Sequence, residues 1–540
     1  MKANPNRFWF IVILLGWAFD FLFWKKPFGV NFAIYIALCL ATGIFLLQAD
    51  GLRLTRRSSL LLFPIAFLTA ITFFRLEPMT VFLSLSMILF LMGVFALTYL
   101  GGRWMHYGLL DYLFGYFRLF GSMLARPLGF AAEVKREQPQ GDALSVSKGS
   151  PKRNSQFWPI LRGIVIALPI VAIFASILSS ADVVFAKRLD DILELFKIDN
   201  LPEYIFRLVY ILVFAYVLAG TYLHAAHSAD EKISEDKPFV SAFLGFTEST
   251  IVLGSVALLF AAFVVVQFQY FFGGQANITF TGYTFSDYAR RGFGELVTVA
   301  FFSLLMLLGL GAITRRETET QRLVFSSFGV GLVLLVIVML VSAFQRLVLY
   351  ETAYGFSRLR TYTHVFMTWL ALLLIAVVVL EILRRERMAA FAMLLALFCF
   401  IVSLGILNVD AFIVRHNIQR ELDTRIGSSY GRVALDNEYF IDLSDDAVPP
   451  LVEAFLDTSV PDSVREKIGA ALACKQYERE QDTRELLWQS FHISRRLADL
   501  EFAKVDGELK PYRIIDYGWR GLDVEMPGGE VFTCWRYDTN

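Results

Sequence analysis

The stretch that decides the reading is Phe263–Val365: FVVVQFQYFFGG (263–274), YTFSDYARRGFGEL (283–296) and SAFQRLVLYETAYGFSRLRTYTHV (342–365). Long apolar segments converge on it, and their polar residues gather at one end of each. Gln267, Gln269, Arg290, Arg291, Glu295, Arg346, Glu351, Arg358, Arg360 and His364 stand at or just inside segment ends. A helix needs about 20 apolar residues to cross a hydrocarbon core of ~30 Å. Backbone groups in lipid must pair within their own segment, so each run reads as a helix.

Outward from this stretch the same pattern recurs. The chain is 56% hydrophobic and only 19% charged, against roughly 45–50% and about 25% in soluble domains. Apolar runs predict spans at about 8–24, 28–48, 58–74, 78–100, 158–180, 203–225, 246–271, 292–313, 323–345, 362–383 and 388–408. The first run carries Asp20 and bulky aromatics and has no small-residue cleavage site, so it reads as an uncleaved helix. Residues 103–124 are too polar to span and keep helical apolar spacing, as do 181–202; both read as surface helices. Residues 131–157 have the Pro, Gly, Ser, Lys and Gln content of a solvated, disordered linker. The expected fold is therefore an all-α polytopic membrane protein of about 11 helices plus two interfacial helices. Its segments are an N-terminal four-helix part (1–100), the interfacial helix and linker (101–157), a seven-helix core (158–408) and a small, mostly helical α+β soluble domain (409–540).

The formal net charge of zero hides an asymmetry. Residues 409–540 carry 16 Lys+Arg against 25 Asp+Glu, a net of −9, which leaves +9 on residues 1–408. The acidic tail argues against nucleic acid as a partner, since phosphate neutralisation needs the opposite sign. Eleven spans place the termini on opposite sides. With the N-terminus inside, the inner segments carry 21 Lys+Arg and the outer ones 11, which favours an inside N-terminus and an outside tail. Within the tail, Ser444 precedes DDAVPPLVEAF as a helix cap, helices follow at about 461–478 and 483–504, and YRIIDY, GLDVEM and EVFTCWRY alternate like strands about a Pro-Gly-Gly turn. Cys39 and Cys399 lie in apolar runs; Cys474 and Cys534 can bond if the tail is extracytoplasmic and are expected to stay reduced if it is not.

With this topology Asp20, Gln267, Gln269, Arg290, Arg291, Glu295, Arg346, Glu351, Arg358, Arg360, His364, Asn408 and Asp410 collect near the outer interface. Ionisable groups at membrane depth face partners or water-filled cavities, so the cluster reads as a polar outer-leaflet pocket for a charged or amphiphilic ligand. The competing reading is a set of interfacial side chains that snorkel and pair to fix helix packing. Gly273, Gly274, Gly292 and Gly294 would let the loop between them dip back as a re-entrant segment, or simply turn at the surface. A faint repeat joins Tyr283-Thr-Phe285-Ser286 to Tyr354-Gly-Phe356-Ser357. His364 and His416 near Glu351 and Asp410 could offer a metal two imidazoles and two carboxylates, and His224, His227 and Asp230 could put three ligands on one helix face. The first set matches no ligand motif and the second reads as an ordinary interfacial pair, so no metal or cofactor is assigned. Metalloprotease, phosphate-loop and nucleophile-elbow motifs are absent, which leans the reading away from an enzyme.

At QYFFGGQANI, YARRGFGEL, SAFQRLVLYETAYGFSRLRTYTH, NVDAFIVRHNI and LSDDAVPPLV the sequence resembles a bacterial family of polytopic membrane proteins catalogued only as a domain of unknown function. The resemblance covers roughly residues 160–450. It implies a bacterial cytoplasmic-membrane protein and transfers no functional residue. Three functions stay open: binding or transport of a small charged or lipid-like ligand; a membrane-embedded enzyme acting on lipid or cell-envelope precursors, with Glu295, His364 and Asp410 as acid–base candidates; and a scaffold or sensor whose tail binds a partner protein.

Overall fold

The computed structural model describes residues 4–137, 174, 201–227, 243–272, 293–422, 436–482 and 487–536. Ten helices among the described residues are long and apolar enough to cross a membrane. They match ten of the eleven expected spans; the span expected at 158–180 lies outside the described residues except for Phe174, as do most of the second surface helix, the 273–292 loop and the first copy of the faint repeat.

In chain order the elements are α1 (Pro5–Phe23), α2 (Val30–Ala49), α3 (Leu62–Phe74), α4 (Pro78–Thr98), α5 (Leu109–Glu137), α6 (Leu201–His227), α7 (Phe246–Phe272) and α8 (Phe293–Ile313). Next come α9 (Glu319–Tyr354), α10 (Arg358–Ile382), α11 (Ala389–Leu407) and α12 (Val409–Leu422). The soluble domain supplies α13 (Val448–Leu456), α14 (Asp462–Gln481), α15 (Ile493–Leu509), β1 (Arg513–Asp516), β2 (Gly521–Glu525) and β3 (Val531–Arg536). The chain divides into two compact units, one of residues 1–20 with 124–219 and one of residues 21–123 with 220–540.

In the smaller unit, Phe19 stacks on Phe214 with ring centroids 3.8 Å apart. Phe130 packs edge-on to Phe8 at 5.3 Å. That contact explains a departure from expectation. Residues 131–137 read as linker, yet α5 continues through Pro127 to Glu137, because burial of Phe130 holds a turn whose composition alone would not.

In the larger unit, Leu332, Val336, Leu340, Ala343 and Leu347 of α9 recur every three or four residues and are fully or nearly fully buried, the spacing of one helix face. They pack in one core with Leu253 of α7, Leu304 of α8 and Leu374 of α10. A reciprocal box between Thr318 and Gln321 starts α9. The helix runs 36 residues, about 54 Å at 1.5 Å per residue, well beyond a ~30 Å core. Arg346 and Glu351, expected in a loop after residue 345, therefore sit on its last turns. Gly355 ends it with φ +79°, a conformation suited to glycine, and a Cβ there would meet Asn417 Oδ1 at 2.7 Å.

The soluble domain forms the expected strands and helices with one correction. The helix expected from about 483 to 504 runs from Ile493 to Leu509, because His492, in extended conformation, caps it by accepting from Ser494 N, and a short turn at Trp488–Ser490 precedes it. The sheet has order β1-β2-β3 with antiparallel pairing, Ile514 opposite Val524 and Val524 opposite Phe532. A disulfide joins Cys474 of α14 to Cys534 of β3 across 60 residues.

Candidate functional site

The polar residues of the larger unit concentrate where the α3–α4, α9–α10 and α11–α12 turns meet the soluble domain. Asn408 takes a left-handed conformation, φ +52°, which breaks α11 from α12 and places Asp410 in the first turn of the new helix. An acidic side chain there is favoured by the helix dipole. Asp410 is fully buried. Arg358, at the start of α10, grips it with two bonds, Nε to Oδ1 at 2.8 Å and a terminal nitrogen to Oδ2 at 2.7 Å. The backbone N–H of Ser444 in the soluble domain donates to the same Oδ2 at 2.7 Å. The Arg358 backbone N–H in turn donates to the Tyr439 hydroxyl at 2.9 Å.

A second carboxylate pair lies beside it. Glu77, buried to 1% exposure, caps α4 by accepting from Met79 N at 2.8 Å and Thr80 N at 2.7 Å. It also accepts the Tyr362 hydroxyl of α10. Asp446 of the soluble domain accepts from Leu76 N at 2.8 Å and Glu77 N at 3.2 Å. Burial raises the Asp446 pKa above the ordinary carboxylate value. Arg75 donates from Nε to Gly405 O at 2.7 Å, linking the α3–α4 turn to α11.

The third fastening uses an amide as a backbone mimic. Asn417 of α12 accepts from Phe356 N at 2.6 Å and donates to Phe356 O at 3.0 Å, holding the α9–α10 turn. His492 fastens the soluble domain to α3. Its Nδ1 accepts from Ser494 N at 3.2 Å, which leaves Nε2 to donate to Thr72 O at 3.2 Å. Burial holds His492 down to about 4, so the ring is neutral near pH 7. Inside the domain, buried Lys475 donates to Ile441 O at 2.9 Å and to Leu443 O, holding the strand of chain that presents Ser444; its pKa is lowered by the same desolvation.

The expected site residues sort themselves by partner. Arg358 and Asp410 meet, as above. Glu351 and His364 meet across α9 and α10, Oε1 to Nδ1 at 3.1 Å, with Phe344 edge-on to the imidazole at 4.4 Å. The Nε2 of His364 makes no hydrogen bond among the described residues. Arg360 donates to Gly355 O and lies over the Tyr350 ring at 4.3 Å. Gln267 accepts from Ser342 Oγ at 2.7 Å. Arg346 is half-buried on α9 and Glu295 is exposed in the first turn of α8. Asp20 belongs to the smaller unit, where it is paired with Arg207 through Nε at 2.9 Å and accepts the Tyr210 hydroxyl. The Gln269 side chain, Arg290 and Arg291 lie outside the described residues.

The histidines read as possible ligands have other company. His416 packs against Phe412 with ring centroids 3.8 Å apart and planes tilted by 31°; His224 Nδ1 is 2.8 Å from Ser122 Oγ, and His227 Nδ1 is 2.8 Å from Leu223 O in its own helix. Among the described residues no group of three His, Cys, Asp or Glu could hold a metal. Sequence reasoning missed Glu77, Tyr362, Tyr439, Asp446, Arg207 and Tyr210. Two carried a signal: Glu77 precedes Pro78, a cap-and-first-turn pattern, and Arg207 stands inside an apolar run, where a charge calls for a partner.

Ten helices among the described residues that are long and apolar enough to cross a membrane define a multi-pass integral membrane protein. The chain belongs to the family described as Domain of unknown function (DUF4153), which matches residues 62–454. The match begins well ahead of residue 160, so it takes in α3 to α5 as well as the motif-bearing helices. No curated protein and no solved structure matches the chain.

Proposed function

We propose that the protein is a scaffold or sensor of the bacterial cytoplasmic membrane, its N-terminus inside and its soluble domain outside, with that domain presenting a surface to a partner protein. One observation carries this reading. Asp410, the most deeply buried of the cluster's carboxylates, is saturated by Arg358 and by Ser444 of the soluble domain. Charges engaged in this way fasten the domain to the membrane helices and leave little to bind a ligand. The Cys474–Cys534 bond supports the outside placement, because disulfides persist in oxidising compartments. Exposed Tyr517, Trp519 and Trp535 give the domain the aromatic surface that partner interfaces favour.

Two measurements test the reading. A reporter fused after Asn540 should be active only outside the cytoplasm; activity only in the cytoplasm overturns the topology. Photo-crosslinking residues at Tyr517 and Trp519 should yield a discrete protein adduct in intact cells, and their failure to capture any protein sinks the partner role.

A second reading, binding of a charged or amphiphilic ligand, is favoured by the Glu351–His364 pair. Glu351 is 3% exposed, and the far nitrogen of its histidine partner has no hydrogen bond among the described residues. A buried acid beside a half-buried imidazole, between two spans, is where a ligand or a proton would be taken up.

A further inference from the structure

Gly29, between α1 and α2, allows an unusually close approach: a Cβ on it would fall 2.6 Å from Phe491 O and 2.7 Å from the Ser490 carbonyl carbon. The next residue, Val30, donates its N–H to Phe491 O at 2.9 Å. The Trp488 ring lies 6.3 Å from Phe21, two residues before the end of α1, and Phe491 lies 5.9 Å from Phe73, one residue before the end of α3. The 488–492 segment of the soluble domain is thus seated at the level where the first three spans leave the apolar core. Yet Trp488 is 57% exposed and Phe491 47%. The apolar exposure continues along one face of α15 at Leu497 (47%) and Leu500 (46%), residues that share a stripe with Ile493 at helical spacing.

We infer that this face of the soluble domain, Trp488 and Phe491 leading into Leu497 and Leu500, lies in the headgroup region of the bilayer and is covered by lipid. Three observations select lipid as the occupant. The face is continuous with the ends of membrane spans through the contacts to Phe21, Val30 and Phe73. Its leading residues are aromatic, the class that collects where hydrocarbon meets water. Basic side chains stand beside it: Lys26, whose ammonium lies over the Phe21 ring at 4.9 Å, the ring that Trp488 meets, and exposed Arg496, next to Leu497 in α15, both suited to anionic headgroups. The bilayer then acts as a second fastening for the domain, beside the Asp410 joint, and the inference does not depend on which side of the membrane the domain occupies.

Spin labels read the depth directly. In protein whose Cys39 and Cys399 are replaced by Ala, a single cysteine is introduced by Trp488→Cys, Leu497→Cys or Leu500→Cys, with Trp519→Cys as the reference on the sheet side of the domain. The full chain is reconstituted in vesicles of phosphatidylethanolamine and phosphatidylglycerol. A polar relaxation agent should collide at least about tenfold less often at 488, 497 and 500 than at 519, because apolar surroundings exclude it, while oxygen collides more often. All three exposed positions carry the test, so failure of one variant to fold does not remove it. Water-like accessibility at 497 and 500 overturns the inference. So does an immobilised label reached by neither agent, which would mean that protein covers the face.

Discussion

Replacing Asp410 by Ala removes the acceptor for two charge-assisted bonds and for the Ser444 N–H, and leaves the Arg358 guanidinium unpaired. Breaking a buried pair from one side costs about 3–5 kcal/mol. The Arg358 side chain keeps 22% exposure, so water can partly re-solvate it and the low end, about 3 kcal/mol, is expected. The paired replacement Arg358→Met with Asp410→Leu removes both charges, and apolar substitutes for buried pairs are often neutral or stabilising. Only the orphaned Ser444 N–H then remains, at about 1–3 kcal/mol. The double variant should thus be more stable than Asp410→Ala alone. Chemical denaturation in lipid nanodiscs, followed through the soluble domain, gives the three values, and limited proteolysis shows whether the domain detaches. A single-variant loss below about 0.5 kcal/mol, the scale of an exposed pair, would refute the view that this joint holds the domain.

Other perturbations follow from the same geometry. Cys474→Ser opens a 60-residue loop, worth about 4 kcal/mol of chain entropy, and a maleimide gel-shift assay on whole cells should find Cys474 and Cys534 unreactive until the protein is denatured and reduced. His492 titrates at about 4 when folded against an ordinary 6.5, so the unfolded chain binds the extra proton first and stability is lost as pH falls from about 6.5 towards 4. The loss is roughly 3 kcal/mol; a pH series on His492→Gln should lack that contribution, while Asp446, whose raised pKa makes stability fall as pH rises through the carboxylate range, still acts in the opposite sense. Gly355→Ala forces a β-carbon into a left-handed turn against Asn417, and denaturation should register a loss of about 1–3 kcal/mol.

How much of this was legible beforehand depends on whether the quantity is local. Apolar run length and alternation are local, so ten spans and the three strands could be read residue by residue. The end of α5 could not, because Phe130 is held by Phe8, a residue far away in the chain. Nor could the end of α9: only the clamp of Asn417 on Phe356, 61 positions distant, shows why the turn falls at Gly355.

The sequence by itself determined that polar side chains collect at the ends of apolar helices, because the cost of a charge in lipid is paid wherever it stands. Which charge meets which was decided only by the tertiary structure. Arg358 finds Asp410 across 52 positions, Tyr362 finds Glu77 across 285 and Leu76 finds Asp446 across 370. Each pairing follows from the packing of helices and domain, which no stretch of sequence contains alone. At Asp410, what packing decided is that the carboxylate meets Arg358 of α10 and the Ser444 N–H.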